Sequence, residues 1–146
     1  MGELYLLWRF LHLLGVILWV GGTAAALLTV VPVPTEARAA TARAARRVVL
    51  LVGTPGLLLA WVAGLAQLLP NFTTLYARAG WMHTKLLVAL LASGVTGIAI
   101  GRLRRLAGST AGAPSSTAPL RNYALALLLL STLSLALVLW RFGQGG

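Results

Sequence analysis

The chain has 146 residues, of which 59% are hydrophobic and 10% are charged. Soluble domains have roughly 45–50% apolar and about 25% charged residues, so the composition excludes a soluble enzyme, a disordered chain and a water-facing binding module. A membrane-spanning helix needs about 20 apolar residues. We therefore predict an all-α, integral membrane four-helix bundle, with residues 1–146 as a single transmembrane domain. The sequence has no cysteine, which excludes disulfides and thiolate chemistry.

The first predicted span covers residues 4–31 and ends where Pro32 and Pro34 cannot continue a helix. A cleaved signal peptide is the competing interpretation, because the stretch 23–26 is rich in small residues. The apolar region is too long for a signal peptide, and it contains Arg9 and His12. A retained helix is therefore favoured.

Three further spans are predicted over residues 48–69, 81–100 and 122–140. Pro55 lies within the second of these and is expected to kink it. The Ala- and Arg-rich segment 35–47 is interpreted as an interfacial helix turn. Residues 108–119 are rich in Gly, Ser, Thr, Ala and Pro, which predicts a flexible loop.

Twelve basic residues against two acidic ones give a formal charge of +10. In a membrane protein, arginine-rich loops indicate topology, so nucleic acid is not the expected partner. The two loops that follow the first and third spans carry Arg38, Arg43, Arg46, Arg47, Arg102, Arg104, Arg105 and Arg121. The opposite side carries Arg9, Arg78, Lys85 and Arg141.

This asymmetry predicts a multi-pass protein of a bacterial-type inner (cytoplasmic) membrane, with both basic loops in the cytoplasm and both termini outside. Four aromatic residues then fall at the outer interface, as in an aromatic belt: Trp8, Tyr76, Trp81 and Trp140.

Two stripes of small residues repeat every four positions. One stripe consists of Gly56, Ala60 and Gly64, and the other of Ser93, Gly97 and Gly101. Small residues let membrane helices approach closely, which favours bundle packing or self-association. A surface for a flat planar cofactor is the alternative.

Few side chains in the predicted spans are able to do chemistry. The sequence has no Asp, and its two Glu residues lie at the membrane edges, so paired carboxylates and a Ser-His-Asp triad are excluded. Ionisable groups in a span are costly and indicate function by default. His12, His83 and Lys85 remain, with Arg9 nearby, all in the outer half. They converge if the first and third spans are neighbours.

The face of the first span that carries His12 has the profile of a porphyrin site. Positions three, four and seven residues apart share a helix face, and this face holds Arg9, Gly15, Trp19, Gly22 and Ala26. His12 would bind the iron, the small residues would lie against the ring, and Arg9 would lie near the propionates. A histidine that is hydrogen-bonded across the bundle without any ligand is the alternative.

His83 and Lys85 are two residues apart, so their side chains leave the helix about 200° apart and cannot both point straight at one site. His83 opposite His12 would give a bis-His haem b. Lys85 opposite His12 would instead be a second ligand, a propionate partner or a proton carrier. Either side chain can instead extend to the interface. The second axial ligand is therefore left open.

The sequence LHLLGVILWVGG at positions 11–22 resembles the first helix of the HemJ-type protoporphyrinogen IX oxidases, and the CopD-like copper-resistance proteins have a similar first helix. Arg46-Arg47, Thr54-Pro55 and Gly64 resemble the second HemJ helix, and GWMHTKLL at 80–87 its third-helix stretch. The resemblance covers about two-thirds of the chain. It implies a haem b bundle that oxidises protoporphyrinogen IX to protoporphyrin IX, with His12 and Lys85 as the important residues.

Three functions follow from these observations. The first is a HemJ-like oxidase in haem biosynthesis that passes electrons to a quinone or the respiratory chain. The second is a non-enzymatic haem-binding or accessory subunit of a membrane electron-transfer complex, which fits the small size and the small-residue faces. The third is copper handling like that of the CopD-like proteins, for which the sequence offers only Met1, Met82 and the two histidines as Met and His ligands. A homo-oligomer or a larger membrane complex is compatible with each.

Overall fold

Four long helices make up the fold of the computed structural model, which describes residues 2–71, 73, 79–110 and 116–143. They are α1 (Glu3–Val30), α2 (Thr35–Leu68), α3 (Gly80–Ala107) and α4 (Ala118–Gly143). All four are long and apolar enough to cross a membrane. The predicted all-α bundle of four helices is thus confirmed, and it is compatible with a multi-pass membrane protein.

Some sequence predictions fall outside this description. Tyr76 and Arg78 lie outside the described residues, as does the part of the predicted loop at 111–115. The side chain of Arg141 is likewise not described.

The segment 35–47 is helical, as predicted, but it is longer than a single turn. It is the first part of α2, which begins after Pro34 and continues without a break into the apolar part. Alanine is the best helix former, and nothing between Pro34 and the span stops the helix. Ala39, Ala42 and Ala45 are buried in the bundle. The basic stretch is therefore a packed extension of the second span.

Two π-helical turns lie side by side in the first two helices, Ile17–Gly21 in α1 and Val49–Gly53 in α2. The turn in α2 comes just before Pro55, which has no N–H to donate and so cannot complete a regular helix. Val49 O accepts from the backbone N–H of Thr54 and, at 3.1 Å, from its hydroxyl. The helix thus accommodates the proline by widening one turn.

The backbones of α1 and α2 touch where glycines face each other. A Cβ on Gly15 would lie 2.5 Å from Ala60 N and 2.8 Å from Gly56 O, and one on Gly56 would lie 2.5 Å from Trp19 N. Only glycine, which has no side chain, lets the two helix backbones come this close. The small-residue stripe of α2 therefore packs helix against helix at Gly56 and Ala60.

The bundle is packed unevenly from one end to the other. At the arginine end (Val31, Arg43, Ala107 and Leu120), the second part of α1 packs against α2 and α4, and α2 packs against α3. Leu27, Val30, Leu103, Leu120 and Leu127 are fully buried there. At the open end (Trp8, Gln67, Lys85 and Leu139), α1 packs chiefly on α2 and α3 on α4. A gap separates the two helix pairs at the open end.

Candidate functional site

The gap between the helix pairs is a cavity of about 680 Å³. Ligand and cofactor pockets are typically about 300–1,000 Å³, so the volume suits a small molecule or a cofactor. Each of the four helices contributes to its wall. The polar and aromatic lining residues are Tyr5, Arg9, His12, Trp19, Trp61, Gln67, Trp81, Met82, Lys85, Ser131 and Ser134.

His12 is held on this wall by the backbone of α2. Its Nδ1 lies 2.7 Å from Ala60 O. A carbonyl oxygen only accepts, so Nδ1 donates, and in the neutral ring Nε2 carries the lone pair. The ring lies over Gly64, where a Cβ would be 3.1 Å from Cε1 and Nδ1. The contact between α1 and α2 therefore sets both the tautomer and the position of the imidazole.

Two basic residues share the cavity with His12. Arg9 lies one turn before it on α1, and Lys85 reaches the cavity from the first part of α3. No acidic residue is among the described residues that line this cavity. The charge of the site therefore favours a ligand with anionic groups.

Two tryptophans connect the walls of the cavity through side-chain hydrogen bonds. The buried Trp19 on α1 donates from Nε1 to Thr96 Oγ1 on α3 at 2.9 Å. Trp61 on α2 donates to Ser93 Oγ on α3 at 3.1 Å. Both bonds cross between the helix pairs, so they fix the spacing of the walls and the orientation of both indoles.

Four of the seven predicted site residues line this cavity: His12, Lys85, Arg9 and Trp19. Gly15 and Gly22 do not. Gly15 contacts the backbone of Ala60, and a Cβ on Gly22 would lie 3.2 Å from Val52 Cγ1. The expectation that these two glycines lie against a porphyrin ring is therefore corrected. They are small because α2 packs against them.

His83 lies on a different face of α3 from Lys85 and does not line the cavity. Its side chain is exposed, and its Nδ1 donates at 3.1 Å to the carbonyl oxygen of Ala79, the residue just before its own helix. Of the two alternatives for span three, Lys85 faces the cavity and His83 points outward, as the angle of about 200° between their side chains requires. In the described part of the chain, no three His, Asp or Glu residues come together.

The structure places three residues beside His12 and Lys85 that the sequence did not connect with them. Met82 lines the cavity three positions before Lys85, on the same helix face. Ala60 provides the carbonyl for His12, and Gly64 provides room for the imidazole. The spacing of Met82 from Lys85 was a usable signal. A backbone carbonyl leaves no signal in a sequence.

Comparison with known proteins gives no match to a family model, to a curated protein or to a solved structure. The site itself thus carries the functional argument. It offers an imidazole, two basic side chains and an apolar aromatic wall in one cavity. This set can bind a flat apolar molecule that has anionic groups and a metal centre.

Proposed function

We propose that the protein binds haem b in this cavity and acts as a HemJ-like oxidase of protoporphyrinogen IX. The observation that most supports this proposal is that His12, Lys85 and Arg9 line one cavity of about 680 Å³. The likeness of positions 11–22 and 80–87 to the HemJ helices supports the same assignment. The cavity lies at the end of the bundle away from the arginine cluster. The charge asymmetry predicts that this end faces the outer side of a bacterial-type inner membrane.

The surroundings of His12 suit an axial ligand. Metal-binding histidines usually donate their second ring nitrogen to a carbonyl or carboxylate, which fixes the ring and raises its basicity. The bond from Nδ1 to Ala60 O is of this kind. His12 would hold the iron through Nε2, with the ring kept in place by the glycine beneath it.

The remaining lining fits the rest of a porphyrin. Arg9 would neutralise a propionate, and Trp19 and Trp61 would border the apolar ring. Met82 is a second soft ligand in the cavity, and haem iron is held by Met/His pairs in some proteins. Met82 would be the further ligand of the iron, which leaves the amine of Lys85 for the proton, whereas His83 is exposed outside the cavity.

Bound haem would supply one-electron redox chemistry, with a quinone or the respiratory chain as the final acceptor. The role of Lys85 is to hold or accept a proton beside the porphyrinogen as hydrogen is removed.

The first test is the absorption spectrum of the purified protein. We expect a Soret band that shifts on reduction. His12→Ala should abolish or strongly shift it, because the iron loses its ligand. His83→Ala is the matched control, since that imidazole lies outside the cavity, and it should leave the spectrum unchanged. A His12→Ala variant that inserts normally and keeps the parental spectrum would refute the assignment.

The second test separates an oxidase from a haem-binding accessory subunit. Growth of an oxidase-deficient strain is measured with the parental chain and with Lys85→Met, which keeps the length of the side chain without its amine. We expect the parent to restore growth and the variant to fail while retaining haem. A parent that binds haem without restoring growth would favour the accessory role. A copper-dependent spectrum without a Soret band would favour the CopD-like function.

A further inference from the structure

A second cavity, of about 280 Å³, lies at the arginine end between α3 and α4. It is lined by Ile98, Gly101, Arg102, Arg105 and Tyr123. Two guanidinium groups, one phenol and two apolar positions thus form a single small site. It shares no lining residue with the cavity around His12, so it is a separate site.

The charges around this site are not balanced by the protein. The arginine end carries eight arginines, whereas Glu36 is the single acidic residue in that part of the sequence. Arg102 donates from Nη2 to Ser116 O at 3.3 Å. Its Nε is buried and has no hydrogen-bond partner among the described residues.

Beyond this cavity, α3 has a strip of exposed glycines, and we call the space left by their missing side chains the glycine groove. Gly94, Gly97 and Gly101 are spaced three and four residues apart and so share one helix face. All three are exposed, and no other side chain or helix comes within 4 Å of a Cβ built on any of them. The groove leads from the arginine pair toward the middle of the apolar span. Its width comes from the missing side chains.

We propose that this cavity and groove bind one anionic phospholipid. Its phosphate would accept from Arg102 and Arg105, and one acyl chain would lie along the glycine groove. Phosphate suits the arginine pair because guanidinium groups bind its oxygens with strong, charge-assisted hydrogen bonds. Basic sites between helices near the membrane surface commonly hold anionic headgroups. The apolar groove favours a lipid over free phosphate, because free phosphate has no part that would fill it.

The headgroup is tested by native mass spectrometry of the protein in mild detergent with dioleoylphosphatidylglycerol, and with dioleoylphosphatidylcholine for comparison. We expect the anionic lipid to bind at least about tenfold more tightly. Arg102→Gln and Arg105→Gln should each weaken its binding about tenfold. Arg104→Gln removes the same charge from an exposed position outside the cavity, and it should change binding at most about twofold at moderate salt. Equal losses in all three variants would indicate diffuse charge attraction and overturn the proposal.

The acyl chain is tested by filling the groove. Gly97→Leu should weaken phosphatidylglycerol binding several-fold, because the new side chain occupies the chain's path. Gly21→Leu is the matched control, since Gly21 is also exposed with no neighbour within 4 Å but lies on α1. Unchanged binding by Gly97→Leu, or full displacement of the lipid by an equal concentration of inorganic phosphate, would show a site for the phosphate group alone and refute the lipid assignment.

Discussion

Replacing Gly15 by alanine should separate α1 from α2 and displace His12 at the same time. The new Cβ would lie 2.5 Å from Ala60 N and 2.9 Å from Ala60 Cα, where ordinary contact begins at 3.4 Å. Backbone atoms cannot turn aside as a flexible side chain can, so one helix must move. Ala60 also accepts the hydrogen bond from His12, so the same movement lengthens that 2.7 Å contact.

The expected net loss of stability for Gly15→Ala is about 2 kcal/mol. Overpacking a tight contact costs about 1–3 kcal/mol. A weakened hydrogen bond at His12 adds about 1 kcal/mol. Alanine is the better helix former by about 1 kcal/mol, which offsets part of this. The midpoint of thermal unfolding in detergent, followed by circular dichroism, should fall by about 4–8 °C.

Gly21→Ala is the control for this substitution. A Cβ there has no neighbour within 4 Å, so only the gain in helix propensity remains. We expect unchanged or slightly raised thermal stability. If Gly15→Ala unfolds at the same temperature as Gly21→Ala, the close contact of α1 and α2 does not exist as described, and the placement of His12 fails with it.

Three further predictions concern the site and the topology. Gly64→Ala should shift the His12 ring by a few tenths of an ångström and alter the haem spectrum, with stability changed by less than about 1 kcal/mol. Thr96→Val should lower the free energy of unfolding by about 1–3 kcal/mol, measured by chemical denaturation, because the buried Trp19 N–H loses its acceptor. A cysteine at the exposed Thr110 should react with an impermeant thiol reagent only after the cells are permeabilised, because the arginine-rich loops are predicted to be cytoplasmic.

Each of these three has a matched control. Gly97→Ala adds the same methyl group where nothing contacts it, and should leave the spectrum unchanged. Thr96→Ser keeps the hydroxyl and should retain most of the stability. A cysteine at the exposed Gly80, at the opposite end of α3, should react in intact cells. Labelling at Thr110 but not at Gly80 in intact cells would reverse the predicted orientation.

The number of helices could be predicted because four apolar stretches of sufficient length are visible in the sequence. The extent of α2 could not be predicted in the same way. Arginines suggested that the span begins at residue 48, whereas the helix begins at Thr35. Hydropathy detects the lipid boundary and does not detect where a helix starts. Alanine-rich sequence stays helical across that boundary.

The site was predicted in part. His12 and Lys85 could be named because ionisable residues are rare in apolar spans, and both line the cavity. The roles of Gly15 and Gly22 could not be read from spacing, because a glycine that faces a flat ligand and one that faces another helix look the same in a sequence. The π turn at Ile17–Gly21 adds to this difficulty, since a face counted at 3.6 residues per turn shifts across it.

The open end of the bundle also determines the route by which a ligand arrives. Leu13, Leu65 and Leu135 line the cavity, yet 53%, 38% and 59% of their surfaces are exposed, and in a bilayer those surfaces meet lipid chains. The cavity thus has lateral access from the hydrocarbon layer. An apolar molecule partitions into that layer and is concentrated there. It can then reach His12 by diffusing within the plane of the membrane, so its supply depends on the lipid phase more than on its concentration in water.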